Sequence, residues 1–180
     1  MLCRCNKGMT LTEMLITLAI CSIVLGIVIP STGHIINANR LTTQVNELRS
    51  SLALTRSEAI KTNQQVVICK SQDNQYCIRQ GQWQQGWIVF IDQNRDRRRD
   101  EQEPLLLAKQ ALPQRIELRY QAFGSRHYIA YYPTGITNTN GTFTFCDTNA
   151  TNRSIALILS KTGRIRLHKA RSGGRPLNCD

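Results

Sequence analysis

Residues 8–30 read GMTLTEMLITLAICSIVLGIVIP, a stretch that is apolar from Met14 to Ile29 apart from Thr17, Cys21, Ser22 and Gly26. Before it stands a short basic segment, MLCRCNKG, carrying Arg4 and Lys7 and ending in Gly8. A secretory signal would place a small-x-small cleavage site after its apolar core, yet Pro30 and Ser31 follow here. A lipoprotein site would need a run of small residues directly before a cysteine, which neither Cys3 nor Cys5 has. The anomaly is Glu13, because a carboxylate at the edge of a membrane-spanning stretch costs a few kcal/mol unless it is paired. The apolar run is therefore expected to stay in the mature chain as the transmembrane first half of a helix, with Glu13 kept for a purpose.

Beyond Pro30 the helical pattern continues. Leu41, Val45, Leu48, Leu52, Thr55 and Ala59 follow 4-3-4-3-4 spacing, with Arg40, Arg49, Arg56 and Glu58 among the residues between them. That is one apolar stripe on a helix from about Met9 to about Asn63, roughly 80 Å long at 1.5 Å per residue. From Gln64 the period changes to two. Segments 65–69, 87–91, 116–120, 128–132, 142–145 and 154–159 are short and mostly rich in β-branched or aromatic residues. Turn residues separate them, among them Pro133-Thr134-Gly135, Thr162-Gly163 and Asn140-Gly141, the last a favoured hairpin turn. A striped helix followed by antiparallel strands implies an α+β domain with the helix packed on the sheet. The expected organisation is a short basic segment over 1–8, an anchoring helix over 9–35 and a globular domain over 36–180.

The chain has a formal net charge of +11, from 23 Lys and Arg against 12 Asp and Glu. Such an excess suits a polyanionic partner or an anionic surface. Of the seven cysteines, Cys69, Cys77, Cys146 and Cys179 lie beyond the apolar run. An even set in an exported domain implies two disulfides with three possible connectivities. Cys69–Cys77 with Cys146–Cys179 is the favoured arrangement, since it closes one short loop and staples the C-terminal tail. Zinc is the competing reading, but no C-x-x-C pair and no neighbouring histidine ligands occur.

The basic leader, Gly8, Glu13 placed fifth from Met9, the apolar run and Pro30 together resemble the leader of type IV prepilins. The resemblance implies that a prepilin peptidase cuts between Gly8 and Met9 and methylates the new N-terminus. It implies that Glu13 neutralises the terminal amine of a neighbouring subunit, and that Pro30 kinks the helix. The segment GWIVFIDQNRDRRRDEQEPLLL, residues 86–107, resembles the FimT, FimU and GspH branch of minor pilins and pseudopilins. A pilin fold in a bacterial inner membrane follows from that likeness, single-pass with a periplasmic globular domain, in contact with lipid and other pilins.

Asp92, Asn94, Asp96, Asp100 and Glu103 fall at positions 1, 3, 5, 9 and 12 of an EF-hand-like count,. Arg97 occupies the position that needs glycine, and Arg95, Arg98 and Arg99 compete with a cation, so an internally salt-bridged surface loop is expected instead of a metal site. No G-x-S-x-G, P-loop or H-E-x-x-H pattern occurs, and His34, His127 and His168 lie in unrelated contexts,. An enzyme is not expected, nor is a cofactor.

The C-terminal segment KTGRIRLHKARSGGRPLNCD carries Lys161, Arg164, Arg166, Lys169, Arg171 and Arg175 against one acid, Asp180. If it is a strand, Arg164 and Arg166 share one face, roughly 7 Å apart, and Ile165 and Leu167 the other. That spacing suits successive phosphates of a nucleic-acid strand. Gly163-Arg164-Ile165-Arg166 resembles the G-R-x-R element of DNA-binding FimT-type minor pilins of the natural transformation machinery. The reading reached from sequence is thus a minor pilin that binds DNA without sequence specificity. The alternative is a purely structural subunit of a type IV pilus or of a type II secretion pseudopilus.

Overall fold

A computed structural model describes residues 10–148 and 154–169, apart from the side chains of residues 25–38 and 169. The expected processing pair Gly8 and Met9, the side chain of Pro30, and Cys179 lie outside the described residues. Helix α1 covers Leu11–Thr62. It starts where the Thr10 hydroxyl accepts the Glu13 N–H at 3.4 Å, an N-cap with the carboxylate of Glu13 in the favourable first turn. It stops at Asn63, whose φ of 55° is the left-handed conformation that ends helices,.

The chain divides into two units, Met1–Arg40 and Leu41–Asp180. In the first, the described apolar side chains, such as Leu11, Leu15, Ile16 and Ile23, are exposed. The transmembrane reading of residues 9–35 is corrected here: among the described residues no helix is long and apolar enough to cross a membrane. Among the described side chains, Glu13, Thr17, Cys21 and Ser22 interrupt the apolar run. The single-pass inner-membrane location falls with that reading.

The second unit holds two four-stranded antiparallel sheets. One is built from β1 (Gln65–Lys70), β2 (Trp87–Asp92), β3 (Leu105–Lys109) and β5 (Tyr128–Tyr131) in the order β3-β2-β1-β5. The other is β4 (Ile116–Phe123), β6 (Asn140–Asp147), β7 (Ser154–Leu159) and β8 (Ile165–Lys169) in the order β4-β6-β7-β8. The striped part of α1 closes the core: Leu41, Val45, Leu48, Leu52 and Ala59 are buried in one cluster with Val66, Ile68, Trp87 and Val89 of the first sheet and Phe143, Phe145 and Leu157 of the second. The Trp87 indole N–H, fully buried, donates to the Ser51 hydroxyl of α1 at 3.0 Å, which satisfies the one polar atom the ring brings inside.

Strands β1 and β2 are buried at every position, so the first sheet is covered on both faces. Val67, Cys69, Ile88, Phe90 and Ala130 form a second, smaller core on the face opposite the main cluster, with Cys77 and Tyr128 packed against it. A disulfide joins Cys69 to Cys77 and ties a surface loop to that face. Cys146 is also disulfide-bonded.

Two local expectations change. Asn140-Gly141 is no hairpin turn: Asn140 pairs with Phe123, and Gly141 pairs with both Ala122 and Leu159. A Cβ on Gly141 would run into the Gln121 carbonyl and the Tyr120 ring, so close packing within the sheet, not turn geometry, requires glycine there. Strand β3 comes from Leu105-Leu106-Leu107, a run without β-branching or clean alternation, and forms an edge with partly exposed side chains.

Leu52→Ala should destabilise the chain by about 2–5 kcal/mol, because this fully buried position has no room to relax; urea unfolding measures it, and a loss below about 1 kcal/mol would contradict the stripe's role. Replacing Cys69 and Cys77 together by alanine should cost roughly 2–3 kcal/mol in the chain-entropy picture of so short a loop, read in the same titration.

Candidate functional site

The basic C-terminal segment enters the second sheet through a tight turn. The Gly163 N–H donates to the Ser160 carbonyl at 2.9 Å, and the Ser160 N–H donates to the Arg164 carbonyl at 3.0 Å. Gly163 sits at φ 75° and faces the Gly135 carbonyl so closely that a Cβ would not fit. Two groups from elsewhere hold the turn: the Thr137 N–H donates to the Lys161 carbonyl at 3.0 Å, and the Arg56 guanidinium of α1 donates to the Gly163 carbonyl at 3.2 Å. Gly163, expected among the DNA-contacting residues, thus acts on the backbone. Sequence reading missed Arg56 and Thr137 altogether, since both act on carbonyls far away in the chain.

Lys161, Arg164 and Arg166 are exposed, while Ile165 is half-buried and packs against the main core. Arg166 lies opposite Ile158, and Ile165 opposite Leu159. Arg166 on β8 and Arg164 in the turn before it are both exposed, and so is Leu167, which was expected to share the buried face with Ile165. Among the described residues neither arginine makes an ion pair. Lys169 ends β8 with its side chain undescribed, and Arg171 and Arg175 lie outside the described residues.

The loop after β2 departs from expectation. Asp92, Asp96 and Glu103 cap backbone N–H groups instead of pairing with its arginines, while Asp100 accepts from the Asn94 amide and Glu101 from the Tyr76 hydroxyl. Asp92 accepts from the Gln65 amide at 2.6 Å and from the Arg97 N–H at 3.1 Å. Glu103 accepts from the N–H groups of Gln93 and Asp100, Asn94 from Asp96, and Asp96 from Arg98. The Asp/Asn alternation is a run of local side-chain-to-backbone turns. Burial pushes the Asp92 carboxyl above its ordinary range, against the pull of its two donors. Arg97, at the glycine position of an EF-hand count, takes φ 65° all the same. Among the described residues no cluster could hold a metal ion, and none of Arg95, Arg97, Arg98 or Arg99 has a carboxylate partner. The internally salt-bridged loop is thus corrected: its four arginines and five acids are close in number, but among the described residues they form no ion pairs with one another.

Over residues 44–163 the chain matches the family described as type II transport protein GspH, and over residues 3–29 the prokaryotic N-terminal methylation motif. Among solved structures it is similar to the type IV minor pilin FimU of Pseudomonas aeruginosa, with a TM-score of 0.58 and 19% identity over 73% of this chain and 90% of that one. It is also similar to the minor pseudopilin EpsH of the type 2 secretion system of Vibrio cholerae. That match has a TM-score of 0.53 and 11% identity over 72% of this chain and 97% of that one. At those identities the likeness is one of fold. No curated protein sequence matches.

Gly163→Ala should cost more than about 1 kcal/mol, since the substitution combines a positive φ with a backbone clash. Thermal unfolding of the full chain checks this, and an unchanged melting temperature would show that the turn is not held as described.

Proposed function

The chain belongs to the GspH family of type II transport proteins, and we propose that it serves as a structural subunit of minor-pilin or pseudopilin type. The carrying observation is the striped helix packed on two antiparallel sheets within the stretch that the family match spans. The methylation motif over residues 3–29 supports processing between Gly8 and Met9 by a prepilin peptidase. The first turn of α1 then presents Glu13, exposed, close to that new terminus, where it can neutralise the amine of a neighbouring pilin. Glu13→Ala should leave processing intact and reduce incorporation into filaments at least severalfold, measured by quantitative immunoblotting of sheared filaments. Incorporation equal to wild type would overturn this role for Glu13.

A second reading adds DNA as a partner. The observation that favours it is the pair Arg164 and Arg166, exposed and without an ion-pair partner among the described residues. Lys161, Lys169, Arg171 and Arg175 add positive charge from the same segment. Phosphate contacts of this kind release counterions, so affinity falls steeply with salt and carries little sequence preference. With four to five contacts the slope of log K against log salt is about −4, and Arg164→Gln with Arg166→Gln should flatten it by nearly two units. Fluorescence anisotropy of the full chain against an arbitrary duplex is the measurement. If wild type fails to bind at low salt, or the double variant binds as tightly, the chain acts as a structural subunit without DNA.

A further inference from the structure

The second core, on the face of the first sheet opposite the main cluster, lies beneath two loops, and a cleft of about 700 Å³ opens between them. One wall is the disulfide loop with Ile78 and Arg79; the other is the arginine loop with Arg97, Arg98 and Arg99. Tyr76, Ser125, His127 and Tyr128 add to the lining, as do two acids of the arginine loop, Asp96 and Asp100. We propose that this cleft docks an acidic segment of a partner protein, whose carboxylates are received by Arg79, Arg97 and Arg98.

Three features support that occupant. First, the cleft's lining is net positive, with Arg79, Arg97, Arg98 and Arg99 against Asp96 and Asp100. Asp96 accepts the Arg98 N–H and Asp100 the Asn94 side-chain amide, and among the described residues no carboxylate forms an ion pair with these guanidinium groups. The His127 imidazole is held below its usual pKa by burial first and then by Lys70 and Arg79, in keeping with a positive local field. Second, the walls are fixed before a partner arrives. The Cys69–Cys77 bond anchors one. The other is braced by the Asp92 and Glu103 caps, by Arg99 donating to the Gln75 carbonyl at 3.0 Å, and by Arg97 lying 5.7 Å above the Tyr128 ring. Preorganised donors of this kind lose little entropy when a carboxylate binds. Third, the cleft is not purely polar. Cys77 and Tyr128 rest on the second core and Ile78 is half-buried, so apolar side chains between the carboxylates find a surface.

Charge selects among occupants. A second copy of a chain with net charge +11 is repelled,. A duplex presents its phosphates on a convex surface and suits an exposed strip such as β8. Arginines on facing walls of a cleft instead suit an extended acidic peptide.

The experiment titrates the full chain with a fluorescein-labelled peptide of alternating glutamate and leucine, using an unlabelled DNA duplex as competitor. Arg79→Gln with Arg98→Gln should weaken peptide binding roughly tenfold, because both are exposed and neither has a carboxylate partner. Arg164→Gln with Arg166→Gln should leave it unchanged, and the duplex should not displace the peptide from the cleft. The proposal is overturned if the peptide does not bind at low salt, or if the cleft variant binds it as tightly as wild type. It is also overturned if the duplex displaces the peptide and itself loses affinity in the cleft variant, which would assign the cleft to nucleic acid.

Discussion

The burial of one helical stripe organises the second unit. Leu41, Val45, Leu48, Leu52 and Ala59 are almost inaccessible to solvent, and each fully buried aliphatic chain of this size contributes about 1.5–3 kcal/mol. Strands β1 and β2, apolar on both faces, would expose a continuous hydrophobic surface without that cover. With one face closed by α1, the other has to be closed by the loops after β1 and β2, the second of which carries Arg95, Arg97, Arg98 and Arg99. The helix also reaches the basic edge directly. Arg56, next to the buried Thr55, holds the carbonyl of Gly163 and so fixes where β8 leaves the turn.

The two basic surfaces of this unit differ in physical character. Arg164 and Arg166 stand exposed at an edge strand, an arrangement that follows a regular array of charges and depends strongly on salt. The guanidinium groups around the cleft converge on a concave, partly apolar space, where geometry contributes as well as charge. Both exist because their nearby acids are absent or already engaged: the C-terminal segment has almost none, and Asp92, Asp96 and Glu103 serve backbone donors.

Much of this architecture was legible in the sequence where periodicity was strong. The 4-3-4-3-4 stripe names the helix residues that are buried, and the β-branched runs lie within β1, β2 and β7. Legibility failed where a residue's task lies in tertiary space. Asn140-Gly141 has the composition of a hairpin turn, yet the close approach of Tyr120 makes Gly141 a packing residue. The acids and arginines of residues 92–103 read as mutual partners because composition does not say which way a carboxylate points, and local N–H groups captured them first. The apolar run after Gly8 reads as a membrane span because hydropathy counts residue types; the described part, interrupted by Thr17, Cys21 and Ser22, falls short of one. Arg56 and Thr137, which hold the turn before β8, carry no signal in sequence at all.

The account centres on a pilin-type subunit, and such a subunit must have its leader removed ahead of the helix and keep the apolar run. The intact mass of the protein isolated from its own cells tests this most directly. The account predicts a chain that begins at Met9 with a methylated N-terminus and retains residues 9–30. A chain that still begins at Met1, or one cut after Pro30, would contradict it.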